Sequence, residues 1–188
     1  MGSIKEFKYK IIKNFLIQEE IELANKYFRM KHRSNINRFD ETQTSATSDS
    51  YWYGDPLTES FLLNKLKKME EATGLQLNPT YGFARMYTYL ATLPKHKDRP
   101  ECEISVTVTV GSSGEKWPIY MDGTELHLNP GDAAIYLGCE VEHWRNEFKG
   151  DWHSQFFLHY VDKNGINKDR IADGREFWGV EKINENKF

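Results

Sequence analysis

The feature that most constrains the fold is a series of short β-type segments that begins after Gly74. Glycine, proline, asparagine or aspartate residues separate six segments that are rich in β-branched and aromatic residues: 80–90, 102–110, 117–121, 124–128, 132–137 and 153–161. Short strands separated by such turns are typical of antiparallel sheets. The pattern therefore predicts a core that is a sandwich or barrel of antiparallel strands.

Helical periodicity precedes this β-rich region. Apolar residues recur at helical spacing between Ile17 and Arg29, and glutamates near its start suit a helix N-terminus. A second helix is predicted to begin near Pro56 or Thr58, with Thr58 as a candidate N-cap, and to end at Gly74. Helices followed by a run of strands indicate an α+β chain.

The size of the chain favours a single domain. Folding 188 residues, or 22.1 kDa, would bury roughly 70% of the unfolded surface, which is ample for one core and thin for two. We predict one domain over residues 1–188, with N-terminal support in 1–78, the β core in 79–162 and a polar tail in 163–188. The polar stretch near 31–55 predicts a mobile loop, which is either a lid over a site or a solvated insertion.

Charge and hydropathy exclude several functional classes. The net charge of −3 provides no general basic field, so we expect no nucleic-acid partner. The mean hydropathy of −0.70 and the lack of a long apolar run predict no membrane span. Cys102 and Cys139 are too few for a disulfide scaffold and lack metal-type spacing. Together with an N-terminus that lacks a secretory signal, this predicts a reduced, cytoplasmic protein.

Three residues form a metal-binding pattern. His96 and Asp98 are two residues apart on an extended segment, so both side chains project to one face. His143, near the end of the β-rich region, would complete a triangle of ligands. Two histidines and one carboxylate on one face leave the opposite coordination positions open, as in non-haem Fe(II) oxygenases. For an isolated His-x-Asp pair the alternative is a hydrogen-bonded turn.

Residues from about 79 to 162 resemble the catalytic core of the 2-oxoglutarate/Fe(II)-dependent dioxygenases, and are most similar to the prolyl 4-hydroxylase-like branch. The resemblance rests on six features: His96 and Asp98, the Pro-Gly-Asp turn at 130–132, His143, the strand at 85–87, the closing strand at 153–161, and the support strand and helix that begin near Ile11. It implies a double-stranded β-helix, or jelly roll, with supporting N-terminal helices.

The resemblance also implies an activity and its cofactors. Fe(II) held by His96, Asp98 and His143 would chelate 2-oxoglutarate, which O₂ converts to succinate and CO₂ while the substrate is hydroxylated. The expected substrate is a prolyl or other residue of a peptide, or a small amino-acid-like molecule. Ascorbate is the expected accessory reductant.

One part of the family pattern is missing. The prolyl-hydroxylase branch places a lysine or arginine roughly nine or ten residues after the distal histidine, to pair with the far carboxylate of 2-oxoglutarate. Here Trp152 and His153 occupy those positions, and Gln155 follows on the same strand. The candidates for binding the co-substrate are four nearby residues: Arg145, Tyr87, Arg99 and His153.

Two tryptophans are candidate substrate platforms, although core packing is the alternative for each. Trp144 adjoins a predicted ligand, and Trp52 lies at the end of the predicted mobile loop. Two other functions stay open at this point. One is a cupin-like metal enzyme that does not use 2-oxoglutarate, and the other is a non-catalytic jelly-roll binding module. The sequence does not indicate an oligomeric state.

Overall fold

The structure is a computed structural model, and it describes residues 3–34 and 49–180. Four helices lie in these ranges: α1 (Ile4–Phe7), α2 (Gln18–Arg33), α3 (Pro56–Asn64) and α4 (Leu66–Thr73). Ten strands accompany them: β1 (Tyr9–Ile12), β2 (Ser50–Tyr53), β3 (Leu77–Thr88), β4 (Leu93–His96), β5 (Ile104–Ser112), β6 (Ile119–Met121), β7 (Thr124–Leu126), β8 (Ala133–Leu137), β9 (His143–Arg145) and β10 (Trp152–Asp162).

The strands form two antiparallel sheets. The larger has six strands in the order β1-β8-β5-β10-β3-β2, and the smaller has four in the order β4-β9-β6-β7. Every strand pair that the register defines is antiparallel. An antiparallel β core with a few supporting helices agrees with the predicted α+β class.

The central strands of the larger sheet are buried on both faces: β8 is apolar throughout, and in β5 the valines alternate with a serine and threonines that are buried as well. On β10, Phe156 stacks on Phe61 of α3 at 5.1 Å, and Tyr160 donates a hydrogen bond to the carbonyl of Leu62. Even-numbered residues of β10 therefore face the helices. Since side chains alternate along a strand, the odd-numbered residues project to the opposite face: His153, Gln155, Phe157 and His159.

The second predicted helix begins at Pro56, one of its two expected starts, but two other details of the prediction were wrong. The helix expected from Pro56 or Thr58 to Gly74 is divided at Lys65 into α3 and α4. Its N-cap is Asp55, whose carboxylate accepts hydrogen bonds from the backbone N–H groups of residues 57 and 58, rather than Thr58. Gly74 ends α4 as expected, because it adopts a left-handed conformation with φ of 70° that glycine allows most easily.

The predicted mobile loop near 31–55 lies partly outside the described residues. Of its flanks, residues 31–33 belong to α2 and residues 50–53 form β2, so neither flank is a loop. The structure thus corrects the boundaries of that prediction. Among the described residues, no helix combines the length and apolar character that crossing a membrane requires.

The predicted polar tail packs back onto the core between residues 163 and 180. It contains a 3-10 turn at Ile171–Gly174. Beyond it, the guanidinium of Arg175 pairs with the carboxylate of Glu59 on α3, and both side chains are almost fully buried. Glu59 also accepts a hydrogen bond from the backbone N–H of Gly179. A buried ion pair therefore fastens the C-terminal segment to α3.

Candidate metal centre

The smaller sheet brings His96, Asp98 and His143 together. His96 ends β4, His143 begins β9, and the two residues are register partners across this strand pair. Oδ1 of Asp98 lies 3.6 Å from Nε2 of His96 and 3.5 Å from Nε2 of His143. All three ligand atoms lie within 4.8 Å of one another, so one metal ion can contact all of them. The structure thus assembles the triad that the sequence pattern indicates.

Both imidazoles are held with Nε2 directed at the site. Nδ1 of His96 lies 2.7 Å from the carbonyl oxygen of Pro94, and Nδ1 of His143 lies 3.0 Å from that of Val141. A carbonyl oxygen can only accept, so each Nδ1 carries the proton and each Nε2 keeps its lone pair. Backbone acceptors of this kind fix the tautomer and orientation of metal-binding histidines.

Asp98 is fixed by its backbone and by its second oxygen. Its N–H donates to the carbonyl of Gly138 at 2.9 Å, and its Oδ2 accepts from the Ser105 hydroxyl at 3.2 Å. Nδ1 of His159 is 2.9 Å from the same hydroxyl. A side chain at position 138 would meet the Cys102 carbonyl at 2.1 Å, which explains the glycine. The network leaves Oδ1 of Asp98 for a metal.

The charges of the triad suit a divalent ion. Burial lowers the pKa of His143, which favours the neutral ligand form. For His96, burial is the largest influence and opposes the charge, but the hydrogen bonds with Asp98 and the Pro94 carbonyl and the negative charge of Asp98 together outweigh it, so the pKa is raised. For Asp98, burial is again the largest influence, but the hydrogen bond with His96 and the nearby histidines together outweigh it, so the pKa is lowered and the carboxylate stays ionised.

Metal affinity should fall on acidification because protons and metal compete for the same atoms. Because the pKa of His96 is raised, its ring takes up a proton at a higher pH than an ordinary histidine, whose pKa is near 6.5. We expect Mn(II) affinity to be constant at high pH and to fall by about tenfold per pH unit below the pKa of His96. Titration with Mn(II) between pH 5 and 8, followed by electron paramagnetic resonance, measures this. An affinity independent of pH over this range would contradict ligation by His96.

A cavity of about 430 Å³ opens beside the triad. Six rings form much of its wall: Tyr81, Phe83, Tyr87, Tyr136, Phe157 and His159. Phe83 and Phe157 are register partners in the larger sheet and are only half-buried, so their faces remain available to a ligand. His159 is neutral near pH 7, because burial lowers its pKa to about 4. The wall is therefore largely aromatic, and Leu93, Pro94, Lys97, Arg99 and Cys102 also line it beside the metal ligands.

A second group of possible ligands shares Asp98 with the triad. Cys102 and His159 place one ligand atom each within 4.8 Å of an Asp98 oxygen. Both already have protein partners, since the Cys102 thiol lies 3.0 Å from the Tyr81 hydroxyl and Nδ1 of His159 contacts Ser105. Burial also raises the pKa of Cys102, which keeps it a thiol. The His96, Asp98 and His143 triad is the better metal site.

Arg145 is a buried cation two residues beyond His143 on β9. It is 2% exposed and is not among the residues that line the cavity, although its register partner Leu93 is. Its Nη2 donates to Oε1 of Gln155 at 2.8 Å, its Nη1 donates to the carbonyl of Trp117, and its guanidinium stacks on the Trp117 ring. Within the described residues, no carboxylate forms a salt bridge with it. Burial lowers its pKa to about 10, so it remains charged at neutral pH.

The other three co-substrate candidates occupy different positions. Arg99 lies at the cavity rim. There its two terminal nitrogens donate hydrogen bonds to the carboxylate of Asp173 at 2.8 and 3.1 Å. Tyr87 is buried and lines the cavity. His153 is fully buried, 3.2 Å from the Gln155 amide oxygen, and burial lowers its pKa far enough to keep it neutral. Of these four candidates, Arg145 is thus the buried cation for which the described residues provide no salt bridge with a carboxylate.

Neither tryptophan proposed as a substrate platform lies in the cavity. Trp52 is 5% exposed in the hydrophobic core, stacked on Phe28 at 5.7 Å. Trp144 lies between His143 and Arg145 on β9, so alternation turns it to the opposite, outer face of the smaller sheet. There it stacks on Tyr120 at 5.2 Å beneath the Lys95 ammonium. The structure thus corrects both assignments, and the core alternative holds for Trp52.

Similar solved structures share this architecture. A prolyl-4-hydroxylase from Pseudomonas putida matches with a TM-score of 0.63 and 17% identity, over 82% of this chain and 92% of that one. A viral collagen prolyl hydroxylase from Paramecium Bursaria Chlorella virus-1, in a 2-oxoglutarate complex, matches with a TM-score of 0.64 and 12% identity, over 85% of this chain and 98% of that one. A prolyl hydroxylase from Trichoplax adhaerens, bound to a peptide fragment of hypoxia inducible factor, matches with a TM-score of 0.65 and 12% identity, over 88% of this chain and 87% of that one.

The chain has the fold of these oxygenases. No family model matches the sequence, and no curated protein matches it either. The likeness to the 2-oxoglutarate/Fe(II) oxygenases is therefore carried by the three-dimensional structure, at identities that sequence comparison alone does not reach.

Proposed function

We propose that the protein is an Fe(II)- and 2-oxoglutarate-dependent dioxygenase with a double-stranded β-helix core. The observation that carries this proposal is the convergence of His96, Asp98 and His143 beside an aromatic cavity, in a chain with the oxygenase fold. Two imidazoles and one carboxylate suit Fe(II), and these three residues would hold it from one side. The cavity side remains for a co-substrate and O₂.

The surroundings of Arg145 also suit 2-oxoglutarate. Three of the buried polar atoms that lack a hydrogen-bond partner among the described residues belong to Arg145 or to residues beside its partner Gln155: Nε of Arg145, Nδ1 of His153 and Oγ1 of Thr109, the register partner of Gln155. A buried guanidinium without a carboxylate costs free energy unless an anion reaches it. We infer that Arg145 binds the far carboxylate of 2-oxoglutarate, while the triad-bound metal takes the other end. Tyr87 is the second candidate to contact the co-substrate.

Iron with 2-oxoglutarate and O₂ supplies the oxidative decarboxylation to succinate and CO₂ and the cleavage of a substrate C–H bond. The residues of this chain orient and shield that chemistry. The carbonyls of Pro94 and Val141 aim the two imidazoles, and Ser105 restrains Asp98. The rings of the cavity wall exclude water, which would otherwise divert the reaction.

The half-buried rings of Phe83 and Phe157 indicate where the substrate binds. Aromatic faces suit an apolar ring or side chain, and among the described residues the charged groups that line the cavity are Asp98, Lys97 and Arg99, so little there would attract a cation. A similar structure holds a peptide substrate. We infer that the substrate is a prolyl or other uncharged residue of a peptide, or a small amino-acid-like molecule.

The test is the co-substrate reaction itself. Protein loaded with Fe(II) should convert 2-oxoglutarate to succinate in air, and without O₂ it should show a weak visible charge-transfer band when 2-oxoglutarate is added. Metal binding without either signal would favour a cupin-like enzyme that does not use 2-oxoglutarate. A melting temperature that does not respond to Fe(II) or Mn(II) would favour a binding module without a metal.

Arg145→Met should separate metal binding from co-substrate binding. Methionine has a similar shape and removes a buried charge, so the fold and the Mn(II) affinity should be retained. Loss of the carboxylate partner should weaken 2-oxoglutarate binding by about 100-fold, measured by calorimetry on the Mn(II) form. Arg99→Met is the matched control, and its 2-oxoglutarate affinity should be unchanged. The reverse result would assign the carboxylate to Arg99.

A further inference from the structure

We propose that Gln155 is a positioning residue that holds Arg145 in place without neutralising it, which leaves the guanidinium charge for the co-substrate carboxylate. This inference rests on the proposed function. It concerns a neutral amide at a place where a carboxylate would form a salt bridge with the arginine. The consequence is selectivity for a co-substrate that carries a second carboxylate.

Gln155 is the centre of a buried hydrogen-bond network. Its side chain is completely buried on β10, on the face that carries His153 and His159. Oε1 accepts from Nη2 of Arg145 at 2.8 Å and lies 3.2 Å from Nε2 of His153, while Nε2 of Gln155 donates to the hydroxyl of Thr107. Three strands thus meet at one amide group.

The chemistry of the partners fixes the orientation of this amide. A guanidinium can only donate, so the amide oxygen must face Arg145 and the NH₂ group must face Thr107. His153, which burial keeps neutral, then donates from Nε2 to the same oxygen. Since two of its partners come from strands other than β10, the amide holds Arg145 at a defined position.

The neutrality of the amide is the decisive property. A carboxylate at position 155 would receive the same hydrogen bonds, but it would also cancel the charge of Arg145 in a buried ion pair. An anionic co-substrate would then meet a neutral pair rather than a cation, and it would be repelled by the new carboxylate. Glutamine keeps the geometry and leaves Arg145 with no carboxylate among the described residues.

Gln155→Glu tests this directly because it preserves shape and changes charge alone. We expect the variant to fold, with a melting temperature no lower than that of the wild type, since the new carboxylate gains a buried partner. Its affinity for 2-oxoglutarate on the Mn(II) form should fall by about 100-fold. Its affinity for 2-oxobutyrate, a 2-oxo acid without the second carboxylate, should change by less than about threefold.

Two further variants complete the experiment. Gln155→Met keeps the position neutral but removes the hydrogen-bond acceptor. It should therefore weaken the binding of 2-oxoglutarate by about tenfold and leave the affinity for 2-oxobutyrate unchanged. Ser154→Ala is the matched control, because its side chain projects from the neighbouring position to the opposite face and its hydroxyl has no partner among the described residues. All affinities are measured by isothermal titration calorimetry on protein saturated with Mn(II).

The outcomes distinguish this inference from the proposed function. If wild-type protein does not bind 2-oxoglutarate, both are overturned. If it does, and Gln155→Glu binds 2-oxoglutarate as tightly as the wild type, only the role of Gln155 is overturned. Equal losses for both acids in Gln155→Glu or Gln155→Met would show a general structural role and would also overturn it. Should Gln155→Glu fail to fold, Gln155→Met decides the matter by the same comparison.

Discussion

Replacing His143 with alanine is expected to abolish metal binding. His143 is 3% exposed and supplies one of three ligand atoms, and its ring is aimed at the site by the carbonyl of Val141. Changing an outer-shell partner of a metal ligand typically costs 10- to 100-fold in affinity, so losing the ligand itself should cost more than about 100-fold. Formation of succinate from 2-oxoglutarate should disappear with the metal.

The measurement is Mn(II) affinity by calorimetry or electron paramagnetic resonance, together with the rise in melting temperature that saturating Mn(II) produces in the wild type. His127→Ala is the control, because His127 is an exposed histidine paired with Glu125 and lies outside the triad. Wild-type Mn(II) affinity in His143→Ala would overturn the assignment of the metal centre. A loss of affinity in both variants would mean that the site is not specific to the triad.

Of the substitutions proposed for this protein, breaking the ion pair between Glu59 and Arg175 should lower the free energy of unfolding most. Both side chains are almost fully buried, so Glu59→Gln would leave the Arg175 charge without a carboxylate. Removing one partner of a buried pair typically costs about 3–5 kcal/mol. For a chain of this size, that corresponds to a melting temperature lower by about 6–20 °C.

Urea unfolding followed by circular dichroism measures this loss in the absence of metal. The control is Glu147→Gln, which removes the exposed ion pair between Glu147 and Lys149 and should not change the stability measurably. A Glu59→Gln midpoint equal to that of the wild type would show that the C-terminal segment does not depend on this pair. Limited proteolysis should show earlier cleavage near residues 163–180 in the variant.

The strand content and the triad could be predicted because each has a local signature. The apolar runs of β5 and β8 and the turn residues between strands identify the β core, and His96 and Asp98 share a face through simple alternation. The short strands β2, β4 and β9 were not predicted. They have three or four residues each, which is too few to show a period, and Pro94 interrupts the pattern in β4.

The positions of individual side chains depended on tertiary contacts. Arg145 could be named as a co-substrate candidate from the sequence, but the lack of a salt bridge between it and any carboxylate among the described residues became visible only in the structure. Ser105 and His159 carry no local signal of their link to Asp98, because they come from different strands. Adjacency to a ligand misled for Trp144, since alternation turns neighbouring side chains to opposite faces.

The weak pairing of β4 with β9 has a consequence for the metal itself. These strands pair at Leu93 with Arg145 and at His96 with His143, with an irregularity between the two positions. Two of the three ligands therefore sit on a ladder that few backbone hydrogen bonds hold, while Asp98 is tied to the larger sheet through Ser105 on β5. A bound ion would link the two sheets through its ligands. Part of its binding free energy would therefore stabilise the smaller sheet against local opening.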